Sequence, residues 1–223
     1  MKTRMIYLFL INLAIASFAS CQNNGLSDLR QIQGFPNKVG DSWAYLVSDT
    51  AYAYGKHQGT NQTTDTLRVS VIGSTHLPDG TQAAIWRTAW PPELAFSSPP
   101  WNVDTTYVWI SADTVNMSSG MEPVLHPPKS MKDIPITSKF IFPVQTGQTW
   151  NIGPDSSRVV SVSSLQVPAG TFDNVYQILR NESYFNFYLT EHDWLKPGIG
   201  LLQKMIAFNG TFYTWKLISY HVK

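Results

Sequence analysis

Phe212-Tyr213-Thr214-Trp215-Lys216-Leu217-Ile218-Ser219-Tyr220 sets large side chains at alternate positions, and Asn209-Gly210 stands just before it. Successive side chains of an extended chain point to opposite sides, so Tyr213, Trp215 and Leu217 share one face. Asn-Gly between two such runs predicts a hairpin, because a type I′ turn needs positive φ at both central residues. The same period of two returns in Trp43, Tyr45 and Val47, in Leu67, Val69 and Val71, and in Tyr107 and Trp109. It also appears in Val160 and Val162 and in Phe185, Phe187 and Leu189. Asp79-Gly80 and Pro168-Ala169-Gly170 mark two further turns. Alternation with aromatic and β-branched enrichment is the pattern of half-buried antiparallel strands. The prediction is an all-β chain of about ten antiparallel strands, forming a curved sheet, half-barrel or barrel-like fold, with a two-sheet sandwich as the alternative.

The sequence also contains an internal echo. Phe35-Pro36-Asn37-Lys38-Val39-Gly40-Asp41-Ser42-Trp43 and Phe142-Pro143-Val144-Gln145-Thr146-Gly147-Gln148-Thr149-Trp150 share the pattern F-P-x-x-x-G-x-x-W. Proline fixes an extended entry, glycine turns the chain, and tryptophan opens a strand as a packing anchor. The domain is therefore placed at 35–223, with two related halves at 35–141 and 142–223 as one reading. The other is that any strand entry favours these residue types.

Sixteen Lys+Arg against 15 Asp+Glu in 223 residues, with 43% hydrophobic and 14% charged residues, describe one domain able to bury a sizeable core. A near-zero balance argues against nucleic-acid binding, which calls for a basic excess or stripe. Low charge with 13% aromatic residues excludes a mostly disordered chain. A single cysteine, Cys21, excludes a disulfide framework and a thiolate metal cluster.

That cysteine sits at an address signal. Lys2 and Arg4 precede an apolar run from Ile6 to Phe18, and Ala19-Ser20 follows. As a helix the run covers roughly 20 Å, short of the ~30 Å hydrocarbon core, so residues 1–20 read as a signal peptide. Phe18-Ala19-Ser20-Cys21 resembles the bacterial lipobox, with Phe in place of the usual Leu, which makes Cys21 the expected lipidation site. Two or three acyl chains hold a soluble domain on a membrane at ~0.8 kcal/mol per buried CH₂. Residues 21–34 form the tether, beginning with the polar Gln22-Asn23-Asn24-Gly25. Removal of Lys2 and Arg4 leaves 14 basic against 15 acidic side chains.

The least regular stretch is Pro91-Pro92-Glu93-Leu94-Ala95-Phe96-Ser97-Ser98-Pro99-Pro100-Trp101, just after Trp86 and Trp90. Its four prolines forbid a central strand. Long apolar loops in β domains are often binding loops, though more often their aromatics simply fold back over a sheet end. Trp86, Trp90, Phe96 and Trp101 are the candidate ligand-binding surface. A second irregular stretch runs from Glu122 to Pro135.

Residues suited to catalysis are scattered. His57, His76, His126, His192 and His221 form no His-x-His or His-Glu-x-x-His pattern, so a zinc site lacks its usual local scaffold. Glu191-His192-Asp193 is the densest titratable cluster. On a strand the two carboxylates share one face and His192 takes the other, and the reading is a solvated strand end. Gly198-Ile199-Gly200 lacks the third glycine and following helix of a nucleotide loop and reads as a turn. No Gly-x-Ser-x-Gly elbow is present. A hydrolase would have to draw on Glu93, Glu191, His192 and Asp193 first. No enzyme, catalytic residue, cofactor or metal is read from this chain.

Three phrases carry a resemblance. Lys38-Val39-Gly40-Asp41-Ser42-Trp43-Ala44-Tyr45, Val167-Pro168-Ala169-Gly170-Thr171-Phe172-Asp173-Asn174-Val175 and Lys196-Pro197-Gly198-Ile199-Gly200-Leu201-Leu202 occur in that order. With them the chain resembles uncharacterised bacterial envelope lipoproteins of the TapB-like, domain-of-unknown-function type. The resemblance implies a β-rich, barrel-like fold and an envelope location, and it supplies no catalytic residues. The function expected is that of a non-enzymatic cell-envelope lipoprotein that binds a hydrophobic ligand such as a lipid or acyl chain, by fold analogy with LolA/LolB-type carriers, or acts in envelope assembly. One alternative is a glycan-binding surface lipoprotein that stacks exposed Trp and Tyr on sugars. Another is a structural lipoprotein that meets a protein partner and no small ligand. Expected partners are thus the membrane through Cys21, and a hydrophobic small molecule or glycan, with no nucleic acid. The expected location is the outer membrane, on its periplasmic or surface face.

Overall fold

The alternation around Trp43 becomes the first of twelve strands in a computed structural model that describes residues 31–53, 56–90, 103–119, 129–184, 187–208 and 211–223. The first six are β1 (Ser42–Ala53), β2 (Lys56–His76), β3 (Gln82–Ala89), β4 (Val103–Ser111), β5 (Thr114–Ser119) and β6 (Ser138–Ile141). The second six are β7 (Thr149–Ile152), β8 (Asp155–Val167), β9 (Gly170–Tyr184), β10 (Phe187–Lys196), β11 (Gly200–Phe208) and β12 (Thr211–His221). They form one antiparallel sheet in the order β6-β5-β4-β3-β2-β1-β12-β11-β10-β9-β8-β7. Each run of six is an up-and-down meander, and β1 pairs with β12 to join them. The fold is all-β, and the sheet curls into a nearly closed barrel. Twelve strands replace the ten expected, because the short β6 and β7 carry too little alternation to stand out.

The inward face holds the core. Trp43, Tyr45 and Val47 of β1, Leu67, Val69 and Val71 of β2, and Leu217 of β12 are buried together with Val108, Phe140, Trp150 and Ile178. Burial of each such side chain contributes roughly 1.5–3 kcal/mol. Tyr107 and Trp109 point the other way, into a small outer cluster with Leu77, Ala83 and Ile134. A 3-10 turn at Met131–Asp133 sits over this cluster, within the stretch expected to be irregular. Strand β4 is therefore buried on both faces. Val160 and Val162 do not mark the inner face of β8: Val159 is fully buried and Val162 is 42% exposed. A register shift between Val159 and Ser161 reverses the alternation there.

One end of the barrel is closed by side chains and turns. The β11–β12 ladder stops at Gln203↔Lys216, while β12 continues along β1 to His221. Carbonyls left over on the β11 side accept from β1 side chains: Trp43 Nε1 donates to Ile199 O at 2.6 Å and Tyr45 OH to Leu201 O at 3.0 Å. The tip of the β8–β9 hairpin reaches the same gap, where Ala169 N donates to Leu217 O. Lys196 Nζ donates to Asp173 O. The three phrases behind the lipoprotein resemblance thus meet at this one closed end.

The barrel's seam lies between β6 and β7. Among the described residues no backbone ladder joins these two strands. Trp150 Nε1 of β7 donates instead to Lys139 O of β6 at 2.9 Å.

Candidate functional site

Three neighbouring strands each send an ionisable side chain inward in phase with core residues. Ile178 and Arg180 of β9, Glu191, Asp193 and Leu195 of β10, and Leu202 of β11 are all buried, and Lys204 of β11 is nearly so. The register sets Arg180 opposite Glu191, and Asp193 opposite Ile178 on one side and Lys204 on the other. Four charges of alternating sign therefore share the interior wall.

Their geometry is tight. Lys204 Nζ lies 2.5 Å from Glu191 Oε1 and 2.9 Å from Asp193 Oδ1. Arg180 lies 2.9 Å from Glu191 Oε1 and 3.7 Å from Asp193 Oδ2. The guanidinium also reaches the seam, where Arg180 donates to Thr137 O at 3.0 Å and to Ser138 Oγ at 2.7 Å. Lys204 Nζ stands 5.8 Å above the Trp215 ring, a cation–π contact. Taking an ion out of water costs several kcal/mol, so each charge here depends on its partners.

The two carboxylates respond in opposite directions. Burial disfavours the charged form of Glu191, but Lys204 and Arg180 outweigh it and hold its pKa down at about 2. Asp193 is buried more deeply, and burial together with the Glu191 charge prevails over Lys204 and Arg180, pushing its pKa up to about 6. Burial works against the Lys204 ammonium as well, yet the carboxylates raise its pKa. Tyr45 faces the group from β1. Burial, with a smaller push from Asp193, raises its pKa far enough to keep the phenol neutral.

Glu191 and Asp193 do share one strand face, with His192 on the other, as the alternation requires. The expected solvated strand end is corrected: Glu191 is 7% exposed and Asp193 2%. The cause is curvature, since the face that carries them is the inside of a barrel. On the outer face Ser161 Oγ donates to Gln177 Oε1 at 3.0 Å, and Gln177 Nε2 donates to His192 Nδ1 at 3.0 Å. The His192 ring stacks on Trp194, and partial burial lowers its pKa.

The candidate aromatic surface divides. Trp86 stacks between Trp43 (4.9 Å) and Phe35 (5.7 Å), and its Nε1 donates to Asn37 Oδ1 at 2.8 Å. Trp90 packs edge-on against Trp215, and its Nε1 donates to Asp104 Oδ2 at 2.7 Å. Both rings pack against the same main core, on different aromatic neighbours. Phe96, Trp101, Glu93, His126 and Cys21 lie outside the described residues. Among the described residues no group of three or more His, Cys, Asp or Glu is placed to hold a metal ion. No described helix is long and apolar enough to cross a membrane.

No protein family matches the chain, and no curated protein matches it. Among solved structures it is similar to a protein from Bacteroides fragilis NCTC 9343 described as exported, with a YmcC-like fold. The identity is 14% and the TM-score 0.45, over 86% of this chain and 100% of that one. It is also similar to a protein from Parabacteroides distasonis ATCC 8503 described as a lipoprotein, at 13% identity and a TM-score of 0.41, over 86% of this chain and 100% of that one.

Proposed function

We propose that the chain is a non-enzymatic lipoprotein of the bacterial cell envelope, held on a membrane by acylated Cys21 and acting in envelope assembly through a protein partner. The envelope half of this reading rests on Phe18-Ala19-Ser20-Cys21 directly after an apolar core of signal-peptide length. The resemblance to TapB-like lipoproteins adds to it through the three phrases at the closed end of the barrel.

The second half rests on the charge cluster only in that it weighs against the alternative of a lipid carrier. A carrier of acyl chains needs an apolar lumen. Here Arg180, Glu191, Asp193 and Lys204 occupy the inner wall of β9–β11, and an acyl chain placed against them would satisfy none of their polar atoms. Trp86 has Trp43 and Phe35 stacked against its ring, which leaves it no open face for a sugar.

Two measurements test the proposal. In a bacterial host fed an alkyne-tagged palmitate, the full chain should take up label and fractionate with membranes, and Cys21→Ala should lose both. An unlabelled wild-type chain would refute the anchor. Native mass spectrometry of the Cys21→Ser protein, exported and purified without detergent, should give a clean apo mass after exposure to envelope lipids. A stoichiometric bound lipid would restore the carrier reading, and a hit on a glycan array the sugar-binding one.

A further inference from the structure

We infer that the Arg180–Glu191–Asp193–Lys204 cluster is a proton-operated latch that sets how firmly the barrel seam between β6 and β7 is held. The inference rests on which atoms Arg180 shares. Its guanidinium touches two groups at the seam, Thr137 O and Ser138 Oγ, and two inside the barrel, Glu191 Oε1 and Asp193 Oδ2. Strand β6 is only four residues long and has no backbone ladder to β7, so side-chain ties such as this one and Trp150 to Lys139 O close the barrel.

Asp193 is the variable member. Glu191 sits at 2.9 Å from Arg180, whereas Asp193 is at 3.7 Å, close enough to attract the guanidinium and too far for a hydrogen bond. An ionised Asp193 therefore competes with Thr137 and Ser138 for the guanidinium. A protonated Asp193 does not, and it leaves Arg180 on the seam. The two carboxylates also share Lys204 Nζ, and such like charges on one face favour taking up a proton. Around Asp193 stand Arg180 from β9, Glu191 on its own strand, Lys204 from β11 and Tyr45 from β1, while His192 points to the outer face.

The direction follows from linkage. A proton binds more tightly to the state in which its site has the higher pKa, so it favours the closed, buried arrangement over one in which Asp193 meets water. The raised pKa of Asp193, about 6, places the change near neutrality. The seam tightens as the medium turns mildly acidic and loosens as it turns alkaline.

Hydrogen exchange of the full chain, corrected for intrinsic chemical rates, tests this at pH 5.5 and pH 8. Amides of 138–141 and 149–152 should be about fourfold better protected at pH 5.5 than at pH 8, the ratio that one proton site with a closed-state pKa of about 6 allows. Asp193→Asn, fixed in the uncharged form, should show the higher protection at both pH values. Carboxyl-carbon NMR of the wild type gives a second readout that needs no variant: the Glu191/Asp193 pair should take up one proton between pH 5 and 7, with seam amide shifts moving at the same midpoint. Seam protection that stays flat or falls on acidification would overturn the latch. So would an Asp193→Asn chain that keeps the wild-type pH step, or a pair still fully ionised at pH 4.5.

Discussion

Val71 and Val159 hold equivalent places in the two halves of the barrel. Val71 O accepts from Gly40 N at 2.8 Å, and Val71 N donates to Asp41 O at 2.9 Å. Val159 O accepts from Gly147 N and Val159 N donates to Gln148 O, both at 2.9 Å. The turns themselves match: Asp41 N donates to Lys38 O and Gln148 N to Gln145 O. In each, the last side chain reaches back, Asp41 Oδ2 to Lys38 N and Gln148 Oε1 to Gln145 N. The repeated F-P-x-x-x-G-x-x-W is thus one strand-entry device used twice, before β1 and before β7.

The glycines of that device are the first test. Gly40 has φ 97° and Gly147 φ 82°, a region that costs a residue with a Cβ about 1–3 kcal/mol. A Cβ at Gly147 meets open space, so Gly147→Ala should lose only that amount in urea unfolding. At Gly40 a Cβ runs into the end of the Lys223 side chain, which donates to Val39 O. Gly40→Ala should therefore lose somewhat more, and Lys223→Ala should abolish the difference.

Much of this architecture was legible in the residues, and its limits have physical causes. Trp43-x-Tyr45-x-Val47 and Leu67-x-Val69-x-Val71 gave the inner face directly, since unbroken strands keep their phase. Val160 and Val162 misled because a bulge beside Ser161 resets the phase of β8. Arg180 and Lys204 went unread because an isolated cation on a strand is usually solvated. Their signal was phase: each stands two positions from a buried apolar residue, Ile178 and Leu202, on the inward face. Closure at the seam is tertiary, made by Trp150 and Arg180 across a boundary that no local pattern marks.

Removal of either carboxylate should have unequal effects. At pH 7.5, Glu191→Gln removes the nearer anion of both Lys204 and Arg180 and should cost about 3–5 kcal/mol. Asp193→Asn should cost far less, because the folded protein already favours an uncharged group there. Chemical unfolding of the two variants side by side decides this, and equal losses would refute the division of roles.

The pH dependence of stability follows from the same pair with opposite signs. Glu191 has a lowered pKa, so its contribution is present above the unfolded value of 4.5 and is lost as pH falls toward about 2. Asp193 has a raised pKa, so its contribution is full below the unfolded value of 3.8 and is lost as pH rises through about 6. Unfolding free energy measured from pH 3 to 8 should decline between pH 4 and 7, and Asp193→Asn should flatten that decline while leaving the acid limb in place.

Trp86 gives the last test, which separates packing from ligand contact. Its ring stacks on Trp43 and Phe35, and its N–H is held by the buried Asn37. Trp86→Ala removes both stacks and leaves Asn37 Oδ1 without this donor, so a loss of about 3–5 kcal/mol is expected. Trp86→Phe keeps a stacking ring and should lose only about 1–2 kcal/mol, most of it from the missing hydrogen bond. A residue that served a ligand and not the core would behave otherwise: both variants would unfold at wild-type denaturant concentrations, and only binding would change.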